Sequence, residues 1–374
     1  MTQPISDPAD GRIAILSPRK FHHHVSRSHG YEFEDVIAAA LDDVDFFTPQ
    51  ANPSHKLLNR FKNWMSYKTP LAAHLPVGLS ATPLEKDYDL FFYTIAHPRN
   101  LNFLSAAKNW RKRSKTAICW VQELWLFDFE YLGSLLDQLN SFDHVICSFT
   151  HTAEALQKRL RVPVHYIPWG LDAVHFCPYP NPPARAIDVL CIGARHNTTH
   201  RAMIAHSDSL GQFYFYETVS GRAEMADHRA HRHNYVSQLQ RCRYFFSYIA
   251  KVELGDMRQG QVEFGLRYLE GLGAGAVVLG TRIDSPAFTK HLGWEDAVIE
   301  VPYDCPDIGQ ILLDLDAQPS RMAHIRTRNI VSCLEQHDHL YRWEKILGLA
   351  GMPNHPKMQD RRAALTHLIA LAQT

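Results

Sequence analysis

The chain has no long apolar run: nowhere in its 374 residues do about 18 consecutive positions stay apolar, so no membrane-spanning helix is expected. It has no excess charge either. Thirty-nine basic residues balance thirty-nine acidic ones, which leaves no global field to draw the chain to nucleic acid or to an anionic membrane. An anionic ligand must therefore be met by local groups. No Cys-x-x-Cys occurs, and the seven cysteines (Cys119, Cys147, Cys177, Cys191, Cys242, Cys305, Cys333) are odd in number and widely spread, most of them among apolar neighbours. That argues against a zinc ribbon or a redox pair and for a reducing compartment. Residues 1–11 hold no apolar stretch of the signal-peptide kind, so a soluble, cytoplasmic protein is expected.

What is present is 45% hydrophobic and 21% charged, which excludes disorder, collagen and small disulfide scaffolds and suffices for about two domains. Short β-branched and aromatic runs alternate with helix-length segments, the pattern of parallel sheets built from βαβ units. In the first half the expected strands are 12–17, 89–94, 115–121, 144–149 and 164–167. Phe33, Val36, Ile37, Ala40 and Leu41 share one helical face, behind an acidic first turn of Glu32, Glu34 and Asp35. A proline-rich connector at 178–183 precedes a second series, 187–192, 213–216, 244–248, 276–279 and 297–301, with helices expected at 264–274, 307–316 and 321–337, the last capped by Ser320. Two such series predict an α/β protein of two Rossmann-like domains facing a central cleft. No repeat of solenoid period is visible.

Three motifs then appear in order. Tyr166-Ile167-Pro168-Trp169-Gly170-Leu171-Asp172-Ala173-Val174-His175-Phe176-Cys177-Pro178 resembles the linker of two-Rossmann (GT-B) glycosyltransferases, where a strand ends in I-P-x-G-V-D-x-x-x-F-x-P. Asp188-Val189-Leu190-Cys191-Ile192-Gly193-Ala194-Arg195 looks like the first strand of that family's donor domain. Phe264-Gly265-Leu266-Arg267-Tyr268-Leu269-Glu270-Gly271-Leu272-Gly273-Ala274-Gly275 is similar to the F-G-L-x-x-x-E-A-x-A-x-G signature of the retaining, nucleotide-sugar-dependent branch, glycosyltransferase group 1 or family 4-like. The resemblance implies an N-terminal acceptor domain (1–168), a C-terminal donor domain (169–353) and a last helix (354–374) returning to the first.

The third motif has a physical reading of its own. Glycines 265, 271, 273 and 275 permit close backbone approach, and a helix starting near Phe264 aims its unpaired N–H groups and positive end at a ligand, for which a diphosphate is suited. Arg267 and Glu270 lie at i and i+3, a guanidinium for phosphate and a carboxylate for a ribose diol, or else a surface ion pair. Arg195, just past its strand, is expected to meet the diphosphate without a metal. Lys251 is a second phosphate candidate at a sheet edge. Arg201 serves phosphate or simply opens a solvated helix face.

Two departures stand out. Where the retaining branch has its first glutamate this chain has Val262, with Glu263 one residue out of register. Where the branch has a His-Asp pair near the acceptor, this chain has Gln122-Glu123. Glu123 then becomes the carboxylate that orients a sugar or accepts a proton, or else caps the next helix, and Gln122 stands beside it on the acceptor side. In the histidine-rich segment from Phe21 to Tyr31, His29 is the best contact for an acceptor or phosphate, because Gly30 permits a turn there. The adjacent histidines cannot easily face one ion, so no metal site is expected. His97 contacts the acceptor or serves as a loop histidine. The mixed charges from Arg222 to His233 are expected on an exposed helix face or a loop, and Phe213, Tyr214, Phe215 and Tyr216 on a strand with one buried face.

The resemblance implies a glycosyltransferase that moves a sugar from a nucleotide-diphosphate donor to a saccharide or small-molecule hydroxyl, retaining and metal-independent, with the donor as co-substrate and no other cofactor. Inversion stays open, as do a degenerate binding or scaffold subunit and a nucleotide-sugar epimerase or hydrolase on the same fold. No nucleic-acid partner is expected, and a peripheral membrane contact is left open.

Overall fold

The computed structural model describes residues 12–69, 71–72, 75–218 and 223–374. The chain divides into two compact units: Met1–Trp169, Glu224–His228 and Arg342–Gln359 form unit 1, and Gly170–Ala223, Arg229–Tyr341 and Asp360–Thr374 form unit 2. Residues 1–11 and Arg222, read above from sequence, lie outside the described residues.

Unit 1 is built on a six-stranded parallel sheet. Its strands are β1 (Ile13–Leu16), β2 (Val44–Phe47), β3 (Tyr88–Ile95), β4 (Ser114–Val121), β5 (His144–Cys147) and β6 (Val164–Tyr166). They lie in the order β2-β1-β3-β4-β5-β6. Residues 90–95 of β3 are buried on both faces, as a central parallel strand covered by helices must be, which is why this run is apolar apart from Thr94 and the Tyr93 hydroxyl. Phe33, on α1 (Ser28–Ala39), places its ring 5.0 Å from Trp120 and 6.3 Å from Trp343, tying helix, sheet and returning segment into one core. A second helix, α2 (His55–Ser66), follows β2.

Unit 2 repeats the plan with five parallel strands, β7 (Ile187–Cys191), β8 (Tyr214–Tyr216), β9 (Cys242–Ser247), β10 (Val277–Gly280) and β11 (Ile299–Glu300), in the order β8-β7-β9-β10-β11. Val189, Tyr244, Val277 and Leu279 face helices through Met203, Ile308, Leu312, Met322 and Ile325 in one core. In each unit the strand order reverses between its first and third strands. Open α/β sheets bind ligands outside the carboxyl ends of the strands at such a switch point.

All ten expected strands are present, within a residue or two at their ends. Strand β2 escaped the sequence because Val44-Asp45-Phe46-Phe47 carries one charge in four residues and sits at an edge, half-buried. Helix α1 begins at Ser28, so Glu32 and Glu34 are not in its first turn and are both buried, and the macrodipole argument for them fails. Helix α6 (Pro319–Gln336) starts one residue before Ser320, with proline in its first turn and Gln318 at the cap position making no side-chain cap bond. The remaining helices of the candidate region are α3 (Asn197–Leu210), α4 (His228–Gln240) and α5 (Leu266–Gly273).

The last helix, α7 (Met358–Ala372), departs from the expected return to the first unit. From Asp360 it belongs to unit 2, because the Arg361 guanidinium donates to Asp172 at 2.6 Å and to both oxygens of the fully buried Asp338 at 2.7 and 2.8 Å. The segment that joins unit 1 is instead Arg342–Gln359, where Arg342 binds the carbonyl of Trp169. Among the described residues no helix is long and apolar enough to cross a membrane.

Candidate functional site

In unit 2, Gly193 follows β7 at the switch point with φ +99°, a conformation that favours glycine, and a Cβ built there would lie 3.5 Å from Arg267 Nε. The Arg267 side chain therefore lies against the loop that carries Arg195. Arg267 donates to the Tyr235 hydroxyl at 3.0 Å, Tyr235 donates to Glu270 Oε2 at 2.9 Å, and Arg232 donates to Glu270 Oε1 at 2.6 Å. Arg267 and Glu270, expected to pair or to divide a ligand between them, are thus linked through a phenol supplied by α4. Burial pushes the Tyr235 hydroxyl up, and Glu270 pushes it further, so it keeps its proton. Burial opposes the Arg267 charge, but Tyr235 and Glu270 outweigh it and hold the guanidinium charged more firmly than usual.

Arg232 and Tyr235 are the residues that sequence reading missed here. The charged stretch ending at His233 was expected on an exposed helix face or a loop, yet Arg232 is buried. The available signal was the spacing of Arg232, Tyr235, Val236 and Leu239, which puts a cation on the apolar face of α4. A buried cation of this kind needs a partner carboxylate.

Arg195 donates to the Glu217 carbonyl at 2.5 Å and lies 5.2 Å over the Tyr216 ring, half-exposed beyond β7. Arg201 is exposed on α3. Lys251 follows β9 with φ +54°, a left-handed backbone that a non-glycine residue adopts at a cost of about 1 kcal/mol. Glu263 is buried, accepts from Gln261 Nε2 at 3.1 Å, and its carbonyl accepts from Ala250 N at 3.1 Å, so the loop after β9 is fastened to the entry of α5. Gly265 precedes α5 in extended conformation, and an added Cβ would meet only Ala250 at 3.9 Å.

The other glycines of the motif serve packing, not a ligand. A Cβ on Gly271 would lie 2.6 Å from Phe245 and 2.9 Å from Val278, and one on Gly273 would lie 2.5 Å from Leu171. Gly275 has φ +69° in the turn into β10. Their role is to let α5 approach the sheet and the 171–176 segment closely.

In unit 1, backbone bonds from Gln122 N to Ile95 O (2.8 Å) and from Glu123 N to Ala96 O (3.1 Å) extend the β3–β4 pairing past the strand ends and set both side chains at the carboxyl edge. Gln122 is buried, and its Oε1 lies 3.0 Å from His29 Nε2. An amide oxygen only accepts, so Nε2 carries the hydrogen and the neutral ring has its lone pair on Nδ1. The His29 ring meets Trp169 edge-on at 4.9 Å. Gly30 makes no turn: it lies inside α1, where an added Cβ would face the Gln122 amide at 3.5 Å. Glu123 accepts from the Trp125 indole at 2.9 Å, just ahead of the helix Asp128–Leu132, whose N-cap position is Phe127. His97 is a capping residue: its Nδ1 accepts from Arg99 N at 3.2 Å, and its Nε2 lies 3.9 Å from Asp128.

Beside β1 stands a network the sequence did not reveal. Ser17 Oγ and Arg19 Nη2 each donate to Glu34 at 2.6 Å, Arg19 also binds Asp35 at 2.8 Å, and Asp35 holds His228 Nε2 at 2.8 Å. Glu34 is buried, which pushes its carboxyl up although Arg19 pulls the other way. Among the described residues no group of three histidines, cysteines or carboxylates is placed to hold a metal ion.

No protein-family model and no curated protein sequence matches the chain. Solved structures do. An α-glucosyltransferase in complex with UDP and a 13-mer DNA containing an HMU base aligns at TM-score 0.55 and 10% identity, over 92% of this chain and 100% of its own. HepE of Anabaena in complex with UDP-glucose aligns at TM-score 0.50 and 12% identity, over 91% and 99%. TarM aligns at TM-score 0.43 and 12% identity over 70% of this chain, which spans 54% of that protein. Together with the two parallel sheets, the full-length alignments establish the fold, the two-Rossmann (GT-B) architecture.

Proposed function

We propose that this chain is a glycosyltransferase that takes a sugar from a nucleotide diphosphate and delivers it to a hydroxyl of a saccharide or small molecule. The observation that carries the reading is the row Arg267–Tyr235–Glu270–Arg232 behind the Gly193–Arg195 loop, at the switch point of the second sheet. It keeps one guanidinium charged and aimed from a fixed scaffold, with Arg195 and Lys251 on the neighbouring loops. Such groups suit a diphosphate that gains charge as its bond to the sugar C1 breaks. Metal independence belongs to this reading, since the arginines and lysine take the electrostatic role. UDP is the first nucleotide to test, because the α-glucosyltransferase and HepE structures hold UDP or UDP-glucose.

In unit 1, His29, Gln122 and Glu123 form the acceptor side. Gln122 holds the His29 ring and the Trp125 indole steadies Glu123, and these two side chains are the groups proposed to meet a sugar hydroxyl. Transfer joins the acceptor oxygen to C1 while the diphosphate departs with the bonding pair, and the hydroxyl proton passes to a base or to the diphosphate. Retention of configuration is the proposed outcome. The acceptor is not proposed to be DNA as in the α-glucosyltransferase complex, since this chain carries no net positive charge to meet a phosphate backbone.

Thermal unfolding in EDTA with UDP, GDP, dTDP, ADP and CMP tests the donor site. A ligand at about 100 times its dissociation constant adds about 2.7 kcal/mol, or a few degrees at the midpoint. A selective shift with one diphosphate, followed by sugar transfer and an axial or equatorial product by NMR, supports the reading. A second reading, a binding or scaffold subunit, draws on Val262 and Gln122 at the two family carboxylate and histidine positions. It gains if a diphosphate binds and no sugar is transferred or released.

A further inference from the structure

Helix α2 turns some polar side chains inward and several apolar ones outward. Lys62 and Ser66 are buried, the Lys62 ammonium donates to the carbonyls of Leu75 (2.8 Å) and Asn102 (3.3 Å), and Asn63 accepts from Asn102 at 2.7 Å. Three large apolar side chains face out, while Leu58 and Met65 are half-buried. Leu57 is 74% exposed, and Phe61 and Trp64 are each 51% exposed. These three fall at i, i+4 and i+7, one stripe on the helix, and Leu71, 75% exposed, follows it. A surface helix ordinarily shows water the opposite face.

The charges of the segment that carries the stripe are all of one sign. Residues 46–84 contain no aspartate or glutamate, while Lys56, Arg60 and Lys68 are exposed beside the apolar side chains. The Lys68 ammonium lies 4.0 Å over the Trp64 ring, and the Phe61 and Trp64 rings are 6.0 Å apart. Tryptophan and phenylalanine on one face with lysine and arginine along its borders is the composition of a helix that lies in the headgroup layer of a bilayer. At 12 residues it is far short of the roughly 20 needed to cross one.

We infer that α2 docks unit 1 on an anionic lipid surface, Leu57, Phe61 and Trp64 entering the acyl boundary and Lys56, Arg60 and Lys68 meeting lipid phosphates. The helix rests on the loops leaving the carboxyl edge of the first sheet: His55 packs on Phe21 at 5.5 Å, Phe21 on Phe103 at 4.9 Å, and Arg99 binds the Tyr67 hydroxyl at 2.8 Å. Docking therefore brings the edge carrying His29, Gln122 and Glu123 toward the bilayer. A lipid-linked or membrane-surface acceptor follows if the chain transfers sugar as proposed; the docking itself does not depend on it.

The test is co-sedimentation of the full chain with vesicles of phosphatidylcholine alone and of phosphatidylcholine with an equal share of phosphatidylglycerol, at low and high salt. Binding to the anionic vesicles should exceed that to neutral ones by about a hundredfold for three basic groups and fall with salt. Phe61→Ser with Trp64→Ser should weaken it about tenfold or more for each ring removed. Lys56→Glu with Arg60→Glu should weaken it about fivefold or more for each charge. All four positions are exposed, so an unchanged unfolding midpoint verifies the fold, and an unchanged response to UDP keeps this result separate from the donor site. Equal binding to both vesicles, no binding to either, or variants that bind like the parent overturn the proposal. So does a dimer by light scattering without lipid that Phe61→Ser with Trp64→Ser disperses, which would assign the stripe to a second copy of the chain.

Discussion

Tyr235 gives its hydroxyl hydrogen to Glu270 at 2.9 Å while accepting one from Arg267 at 3.0 Å, so a single phenol couples the acidic and basic residues of the α5 motif. Both carboxylate oxygens of Glu270 are occupied from within the protein. The glutamate then holds Arg267 through Tyr235 and neutralises Arg232, a positioning role, and in the proposed reading a diphosphate meets the guanidinium.

Removing that carboxylate breaks a buried ion pair. Glu270→Ala should lower stability by about 3 kcal/mol or more, since the Arg232–Glu270 bond is lost in the interior. Tyr235→Phe, which keeps the shape and removes a hydroxyl, should cost about 1 kcal/mol yet still weaken diphosphate binding by freeing Arg267. Urea unfolding and calorimetry with the diphosphate separate the two effects.

Arg195 has the opposite profile. It is half-exposed, and its bond is to a backbone carbonyl, so Arg195→Ala should leave the unfolding midpoint within about a degree of the parent. Affinity for the diphosphate should drop about tenfold to a hundredfold, the usual worth of a hydrogen bond to a charged group. Unchanged affinity by calorimetry would remove Arg195 from the donor site.

The motif glycines should rank by what a methyl group meets. Gly265→Ala faces ordinary contact at 3.9 Å and should leave stability unchanged; Gly271→Ala presses on Phe245 at 2.6 Å and should cost about 1–3 kcal/mol. Beyond the motif, at the end of β10, Gly280→Ala puts a carbon 1.8 Å from the Ser247 carbonyl oxygen and should yield little folded protein. Expression yield and urea midpoints of the three variants test the order.

Burial lowers the Lys62 ammonium to about 8. In the unfolded chain a lysine titrates near about 10.4, so between these values the unfolded state holds a proton that the folded state has lost. Stability should therefore rise with pH from about 8 to about 10, and stay level below, where both states are charged. Lys62→Met should lack this rise in urea titrations run across that range.

Much of the fold was legible because apolar runs of strand length are forced on any parallel sheet covered on both faces. Phe91 and Phe92 in β3, or Val277 and Val278 in β10, admit little else. Edge strand β2 was illegible for the same reason, since an edge does not demand a full apolar run. Of the candidate residues, Arg195 and Gln122 follow strand ends as strand counting expected, whereas Arg232, Tyr235, Ser17 and Arg19 gain their partners from far along the chain.

By itself the sequence determined the two α/β series, the linker between them and the residue types brought to each sheet edge, because these follow from local periodicity and from chain direction. Tertiary structure alone decided that Glu270 faces inward to Arg232, that glycines 271 and 273 serve packing, that the last helix from Asp360 belongs to the second unit, and that α2 turns its tryptophan outward. Each of those depends on what a side chain meets across a distance in sequence, where burial and charge pairing, not periodicity, set the outcome.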